Sequence, residues 1–111
     1  MAPSGWTRAT LLHRDFVAST KQAMVRKRVV VHGRVQGVFF RDTARRVARS
    51  RGVGGWVRNT PEGTVEAVFE GNAEAVESMV RWCREGPRGA LVERVEVAEE
   101  EPEGLTEFRI A

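Results

Sequence analysis

The sequence predicts an α+β domain in which two helices pack on one face of a single antiparallel sheet. Its 111 residues, 41% hydrophobic and 30% charged, suit one domain with a modest core. Two segments carry apolar residues at helical spacing, and five others have the composition or the alternation of strands. These segments follow one another as β-α-β-β-α-β with a short strand at the end, and that order predicts the layered arrangement.

The first predicted strand and the first predicted helix flank a short loop. β-Branched residues dominate residues 27–35 and predict a buried strand. Over residues 38–51 the apolar side chains recur on one face of a helix: Phe40, Ala44, Val47 and Ala48. We expect the helix to end at Gly52, because glycine readily takes the left-handed backbone conformation of a helix C-terminus.

The second and third predicted strands form a hairpin. Residues 53–59 predict a strand, and the turn after it contains Pro61 and Gly63, which suit fixed and positive φ angles respectively. Residues 64–70 alternate, with three apolar side chains facing one way: Val65, Ala67 and Phe69. Three polar side chains face the other way: Thr64, Glu66 and Glu70. This pattern predicts a half-buried strand.

A second helix and two strands complete the domain. Asn72 is a suitable N-cap, and the helix after it has one apolar face: Val76, Met79, Val80 and Cys83. The helix should stop at Gly86. In the fourth strand Leu91, Val95 and Val97 alternate with charged residues. Phe108 and Ile110 mark the last strand. The predicted order of helices and strands is the ferredoxin-like arrangement.

The first 24 residues show no sustained periodicity, so we expect residues 1–24 to be a poorly ordered extension before a domain at residues 25–111. The chain has one cysteine, which excludes an internal disulfide and favours a reducing compartment. It has no apolar run of bilayer length and no signal-peptide pattern at its start, so we expect a cytoplasmic protein. A formal net charge of +3 is too mild to indicate nucleic-acid binding.

The loop before the first helix is the strongest candidate for a functional site. It reads Gly33-Arg34-Val35-Gln36-Gly37-Val38. Such a loop can direct several backbone N–H groups at an oxyanion beside a helix N-terminus. Arg41 lies in the first helical turn, where the helix dipole disfavours a cation by up to ~1 kcal/mol. An arginine at this position could bind a phosphate group through its guanidinium. The alternative interpretation is an ordinary turn between a strand and a helix.

Two segments of the chain, residues 33–41 and 55–65, resemble the signature sequences of the acylphosphatase family. The resemblance covers residues 26–111. It implies hydrolysis of the carboxyl–phosphate bond of acyl phosphates, giving a carboxylate and inorganic phosphate. It also implies that the reaction needs no metal ion, no organic cofactor and no covalent intermediate.

The resemblance further implies two catalytic residues, Arg41 and Asn59, with Asn59 holding the attacking water. The residues implied to bind the substrate phosphate are those of the loop: Gly33, Arg34, Val35, Gln36, Gly37 and Val38. An amide suits a water because it can donate and accept hydrogen bonds without carrying charge. If only its position before Pro61 is considered, Asn59 is better explained as a turn residue. Cys83 falls on the apolar helix face, which favours a core role over a nucleophilic one.

Two alternatives remain from the sequence. A non-catalytic phosphate- or acyl-phosphate-binding domain would keep the loop but would not need Asn59. An RNA-binding domain would need exposed aromatic residues on its central strands, and residues 29–32 contain none. We therefore expect a monomer that acts on a small-molecule acyl phosphate, with no nucleic-acid or membrane partner.

Overall fold

The computed structural model describes residues 23–111. Two helices and five strands follow one another in the predicted order. They are β1 (Met24–Arg34), α1 (Phe40–Ser50), β2 (Gly54–Asn59), β3 (Val65–Asn72), α2 (Ala73–Glu85), β4 (Leu91–Glu100) and β5 (Phe108–Ile110). The strands lie side by side in the order β4-β1-β3-β2-β5. The predicted α+β fold is therefore confirmed.

The sheet is antiparallel except at one edge. β1 pairs antiparallel with both β3 and β4, and β3 pairs antiparallel with β2. β5 instead pairs parallel with β2, with Val57 opposite Ile110. The chain must cross from one edge of the sheet to the other between β4 and β5. This crossing brings the end of the chain beside the end of β2.

One face of the sheet packs against both helices to form the core. The fully buried strand residues on it are Val29, Val31, Val57, Val65, Ala67, Phe69 and Phe108. The rings of Phe69 and Phe108 stack with centroids 5.6 Å apart, which attaches β5 to the core. Cys83 is fully buried in α2 as predicted, and burial raises the pKa of its thiol to about 12.

The predicted alternation is wrong at the start of β4. The pairing of β1 with β4 shifts by one residue, so that His32 faces Arg94 whereas Gly33 faces Val92. This β-bulge reverses the phase of the strand, since one residue of β4 has no counterpart in β1. Val92 consequently packs against the core, and Leu91 is 60% exposed.

Glu70 of β3 also departs from its predicted place on a solvated face, because only 1% of it is exposed. The Arg26 guanidinium, itself 4% exposed, donates to the Glu70 carboxylate at 2.6 Å. Three backbone amides after β4 also donate to this carboxylate, at 3.0 to 3.1 Å: those of Glu103, Gly104 and Leu105. Glu70 therefore anchors the connection that carries the chain to β5.

The charge state of Glu70 follows from these contacts. Burial alone would raise the pKa of the Glu70 carboxyl. The hydrogen bonds from Arg26 and from the three amides outweigh burial, and the pKa lies below its usual value. The buried carboxylate is therefore ionised at neutral pH and can hold the β4–β5 connection in place.

Candidate active site

A pocket of about 270 Å³ opens where four parts of the chain meet. They are the loop after β1, the start of α1, the end of β2 and the strand β5. Its polar lining comes from Arg41, Asp42 and Asn59. Its apolar lining includes Phe39 and Ile110. Two residues of the loop predicted to bind an oxyanion, Val35 and Gly37, therefore share one opening with a cation and a carboxamide.

Two glycines shape the loop for different reasons. Gly37 has a φ of 75°, a conformation that disfavours a side chain even though the space around it is open. Gly33 has a φ of 131°, and a Cβ there would lie 2.1 Å from the carbonyl oxygen of Leu91. The close approach of β4 thus requires glycine at the end of β1. Together the two glycines turn the chain so that α1 begins at the pocket.

Arg41 is the second residue of α1, and its exposed side chain lines the pocket. Within residues 23–111 it forms no hydrogen bond and no ion pair. Its neighbour Asp42 is paired with other arginines of the helix, at 2.8 Å from Arg45 and 3.8 Å from Arg46. The Arg41 guanidinium therefore keeps its five N–H donors for a ligand.

Asn59 is the last residue of β2 and lies on the same side of the strand as the buried Val57. Its carboxamide lines the pocket. Its Oδ1 atom is buried, and no group in residues 23–111 donates a hydrogen bond to it. An unpaired buried carbonyl oxygen costs about 1–3 kcal/mol, so this atom is suited to accept a hydrogen bond from a molecule in the pocket.

Gln36 links the loop to the turn that follows Asn59. Its Nε2 donates to the carbonyl oxygens of Thr60 and Thr64, both at 2.9 Å. The same turn is closed by the Thr60 amide, which donates to the Thr64 carbonyl at 2.9 Å. The Gln36 side chain is thus committed to the turn, and the contribution it can make to anion binding is its backbone N–H.

The structure brings Arg41 and Asn59 together with two residues of the predicted phosphate loop, Val35 and Gly37. Four other loop residues do not line the pocket: Gly33, Arg34, Gln36 and Val38. Arg34 is exposed at the end of β1, and Val38 packs against the core. The assignment of the whole loop to phosphate binding stays a prediction.

Sequence reasoning missed four residues of the pocket lining: Phe39, Phe40, Asp42 and Ile110. Ile110 carries no local signal, because only the parallel pairing of β5 with β2 brings it to the site. The sequence does contain a signal for Phe39. It is a large apolar residue between the loop that ends at Val38 and the apolar helix face that begins at Phe40.

Among residues 23–111, no three His, Cys, Asp or Glu side chains gather where they could hold a metal ion. The expectation that the reaction needs neither metal nor cofactor stays a prediction. None of the helices in this part of the chain is both long and apolar enough to cross a bilayer.

The fold and the pocket together define a small α+β sandwich with an opening suited to an oxyanion at a helix N-terminus. The chain belongs to the acylphosphatase family, whose model matches residues 27–110. The resemblance seen in two short segments of the sequence is thereby confirmed over most of the chain.

Individual relatives extend this result. The chain is 57% identical over 94 residues to an acylphosphatase of Rubrobacter xylanophilus, covering 85% of this chain and 86% of the relative. It is 56% identical over 86 residues to that of Gloeobacter violaceus, covering 78% and 92%. Solved acylphosphatase structures from Coxiella burnetii and Bacillus subtilis each superpose with a TM-score of 0.76 at 36% identity. They cover 79% and 78% of this chain, which spans 93% and 98% of theirs.

Proposed function

We propose that the pocket beside α1 is the active site in which this chain hydrolyses the carboxyl–phosphate bond of acyl phosphates. Membership of the acylphosphatase family confirms the predicted activity and does not favour a non-catalytic binding domain. One observation carries the assignment of the site: Asn59 Oδ1, buried and without a hydrogen-bond partner among residues 23–111, shares a pocket with Arg41, which is unpaired within the same residues.

The phosphoryl group binds, in this proposal, between the loop and the guanidinium of Arg41. The loop that contains Val35 and Gly37 presents backbone N–H groups, and the N-terminus of α1 adds its positive dipole end. The planar guanidinium can make two parallel hydrogen bonds to phosphoryl oxygens. These donors would stabilise the charge that spreads over those oxygens in the transition state.

Asn59 orients the attacking water. One O–H of the water donates to Asn59 Oδ1, which leaves a lone pair of the water oxygen free to face phosphorus. The water oxygen then bonds to phosphorus as the bond from phosphorus to the carboxyl oxygen breaks. The departing carboxylate takes the electron pair of that bond, and both protons of the water remain on the inorganic phosphate.

This reaction does not call for a strong protein base, because a carboxylate is a good leaving group and the phosphate product accepts the protons. Catalysis can therefore come from holding the phosphoryl group and the water in line and from stabilising the charge. Gln36 supports that alignment, because it ties the loop that holds the phosphate to the turn that follows Asn59.

The test is phosphate release from acetyl phosphate by variants whose fold is checked by circular dichroism. Asn59→Ala should lower kcat by about 10²–10³-fold while the inhibition constant of inorganic phosphate changes by less than about threefold. Arg41→Lys should weaken both turnover and phosphate inhibition, because an ammonium cannot make the two-pronged contact. Arg46→Lys makes the same change on the exposed side of the same helix; it is the matched control and should behave like the wild type.

The two variants separate the proposed roles. Parallel loss of phosphate inhibition and turnover in Asn59→Ala would make Asn59 a phosphate ligand or a turn residue. Unchanged phosphate inhibition in a folded Arg41→Lys protein would remove Arg41 from the phosphate site. Equal losses in Arg46→Lys would show that the effect is not specific to the pocket, and would contradict the role of Arg41.

The proposed unit of function is a monomeric cytoplasmic enzyme whose catalytic domain is residues 25–111. Arg41 and Asn59, to which the proposal assigns the reaction, line one pocket of the same chain, so the proposed mechanism does not require a second copy. The sheet face away from the helices carries arginine–glutamate pairs on β1 and β3, including Arg28 with Glu66, where an RNA-binding sheet would expose aromatic rings. We therefore propose small-molecule acyl phosphates as its partners, without nucleic acid or membrane. Light scattering tests the oligomeric state.

A further inference from the structure

Phe39 combines two properties that are unusual for an aromatic residue. It immediately precedes α1 with φ 62° and ψ 27°, in the left-handed region, and among residues 23–111 no other non-glycine residue has a positive φ. This conformation is strained for a residue with a Cβ, and a glycine would avoid the strain. The chain nevertheless has one of its largest side chains there.

The ring of Phe39 gains little from packing within the protein, because the residue is 81% exposed. Its neighbour Phe40 is 2% exposed and contacts Trp82 edge-on, so the core requirement at the start of α1 is already met. Phe39 nevertheless lines the active-site pocket. A strained, exposed aromatic residue at the edge of a pocket indicates a role in ligand contact.

The rest of the pocket lining divides into a polar and an apolar part. Arg41 and Asn59 provide the polar part, where the phosphoryl group and the water are placed. Ile110, half-buried at the end of β5, and Val35 contribute with Phe39 to the apolar part. The substituent on the phosphoryl group must extend away from the phosphate donors, and apolar surface is available to it inside the same pocket.

We propose that Phe39 and Ile110 form an acyl-binding shelf that makes this enzyme prefer acyl phosphates with an uncharged, apolar acyl group, aromatic groups above all. This inference rests on the proposed function, because the acyl group reaches the shelf only if the phosphoryl group lies at Arg41. An aromatic acyl group can stack on the Phe39 ring, whereas an acetyl group is too small to cover it.

Asp42 also lines this pocket, but its carboxylate is paired with Arg45 at 2.8 Å and with Arg46 at 3.8 Å. The selection among acyl groups therefore rests on the apolar surface of the pocket and not on the charge of Asp42.

The experiment compares kcat/KM for benzoyl phosphate with kcat/KM for acetyl phosphate. Phe39→Ala should lower this ratio about tenfold relative to the wild type, with inhibition by inorganic phosphate unchanged. Phe39→Leu keeps apolar surface and should give an intermediate ratio. Phe39→Gly should lower the ratio like alanine while preserving stability, because glycine suits a φ of 62°. Leu91→Ala, which removes an exposed apolar side chain outside the pocket, is the matched control and should leave the ratio unchanged.

A wild-type ratio in folded Phe39→Ala and Phe39→Gly proteins would overturn the shelf. An equal fall in Leu91→Ala would also overturn it, because the effect would then not depend on the pocket. Failure of the wild type to release phosphate from either compound would instead refute the proposed function. The two failures are distinguishable because acetyl phosphate reports the reaction without using the shelf.

Discussion

Replacing Gln36 by Glu tests whether catalysis depends on the link between the proposed phosphate-binding loop and the turn after Asn59. The substitution keeps the size of the side chain but removes its two N–H donors. Two hydrogen bonds at 2.9 Å are lost, each with a net contribution of about 0.5–1.5 kcal/mol. The new carboxylate would also face the carbonyl oxygens of Thr60 and Thr64, which repel it. We therefore expect the free energy of unfolding to fall by about 1–3 kcal/mol or slightly more.

The expected effect on turnover follows from where the link lies. The turn begins directly after Asn59, so a displaced turn moves the carboxamide that is proposed to orient the water. A misplacement of about 1 Å in a catalytic arrangement can reduce the rate about 100-fold. We expect Gln36→Glu to lower kcat by about 10- to 100-fold, and Gln36→Ala, which adds no charge, to lower it less.

The assays are urea unfolding followed by tryptophan fluorescence and steady-state hydrolysis of acetyl phosphate. Glu62→Gln changes charge at an exposed position of the same turn and serves as the control, with stability and kcat expected at wild-type values. Wild-type kcat in Gln36→Glu would refute the reasoning. A loss of stability with no loss of kcat would restrict Gln36 to a structural role.

Three further predictions concern the rest of the molecule. Because the pKa of Glu70 is lower in the folded protein, its stabilising contribution should be present above pH 4.5 and be lost as the pH falls through the lowered value. Glu70→Gln should lower the free energy of unfolding by about 3–5 kcal/mol at pH 7 and weaken its pH dependence in urea titrations. Glu101→Gln, at an exposed position, is the control, and equal stability of the two variants would refute the role of Glu70. Activity should survive a chelator; a loss that one added metal restores would contradict this. Activity should also survive a thiol reagent, because burial raises the pKa of the Cys83 thiol to about 12. Inactivation by the thiol reagent without unfolding would contradict this second expectation. Deleting residues 1–22 should leave kcat and melting temperature unchanged, since Ala23, whose carbonyl accepts the Ala73 amide at 3.0 Å, is retained; a clear fall in either would move the domain boundary toward the N-terminus.

Several features of this protein were predictable because they depend on neighbouring residues. The helical spacing from Phe40 to Ala48 placed α1 on the core without knowledge of its partners. Asn72 caps α2 through the amide of Glu74 at 2.9 Å, a contact between residues two positions apart. The loop glycines and Arg41 likewise lie next to the start of a helix. The positive end of the helix dipole disfavours a cation there, so an arginine at this position indicates a functional role.

Other features needed contacts between distant residues. Glu70 appears polar and solvated in its strand pattern, but the connection after β4 folds over it and donates three amides. The phase of β4 changes at a bulge that depends on its register with β1. The residues next to Glu70 and Val92 in the sequence show no pattern that would predict the burial of Glu70 or the packing of Val92 against the core.

The active site divides in the same way. The sequence by itself determined the order of helices and strands, the loop, the helix start and, through the acylphosphatase resemblance, the roles expected of Arg41 and Asn59. Tertiary structure alone decided that Gln36 holds the turn, that Ile110 reaches the pocket and that Phe39 stays exposed. The physical reason is range: periodicity and capping act over one or two turns of chain, whereas a pocket is lined by segments that only strand pairing and packing bring together.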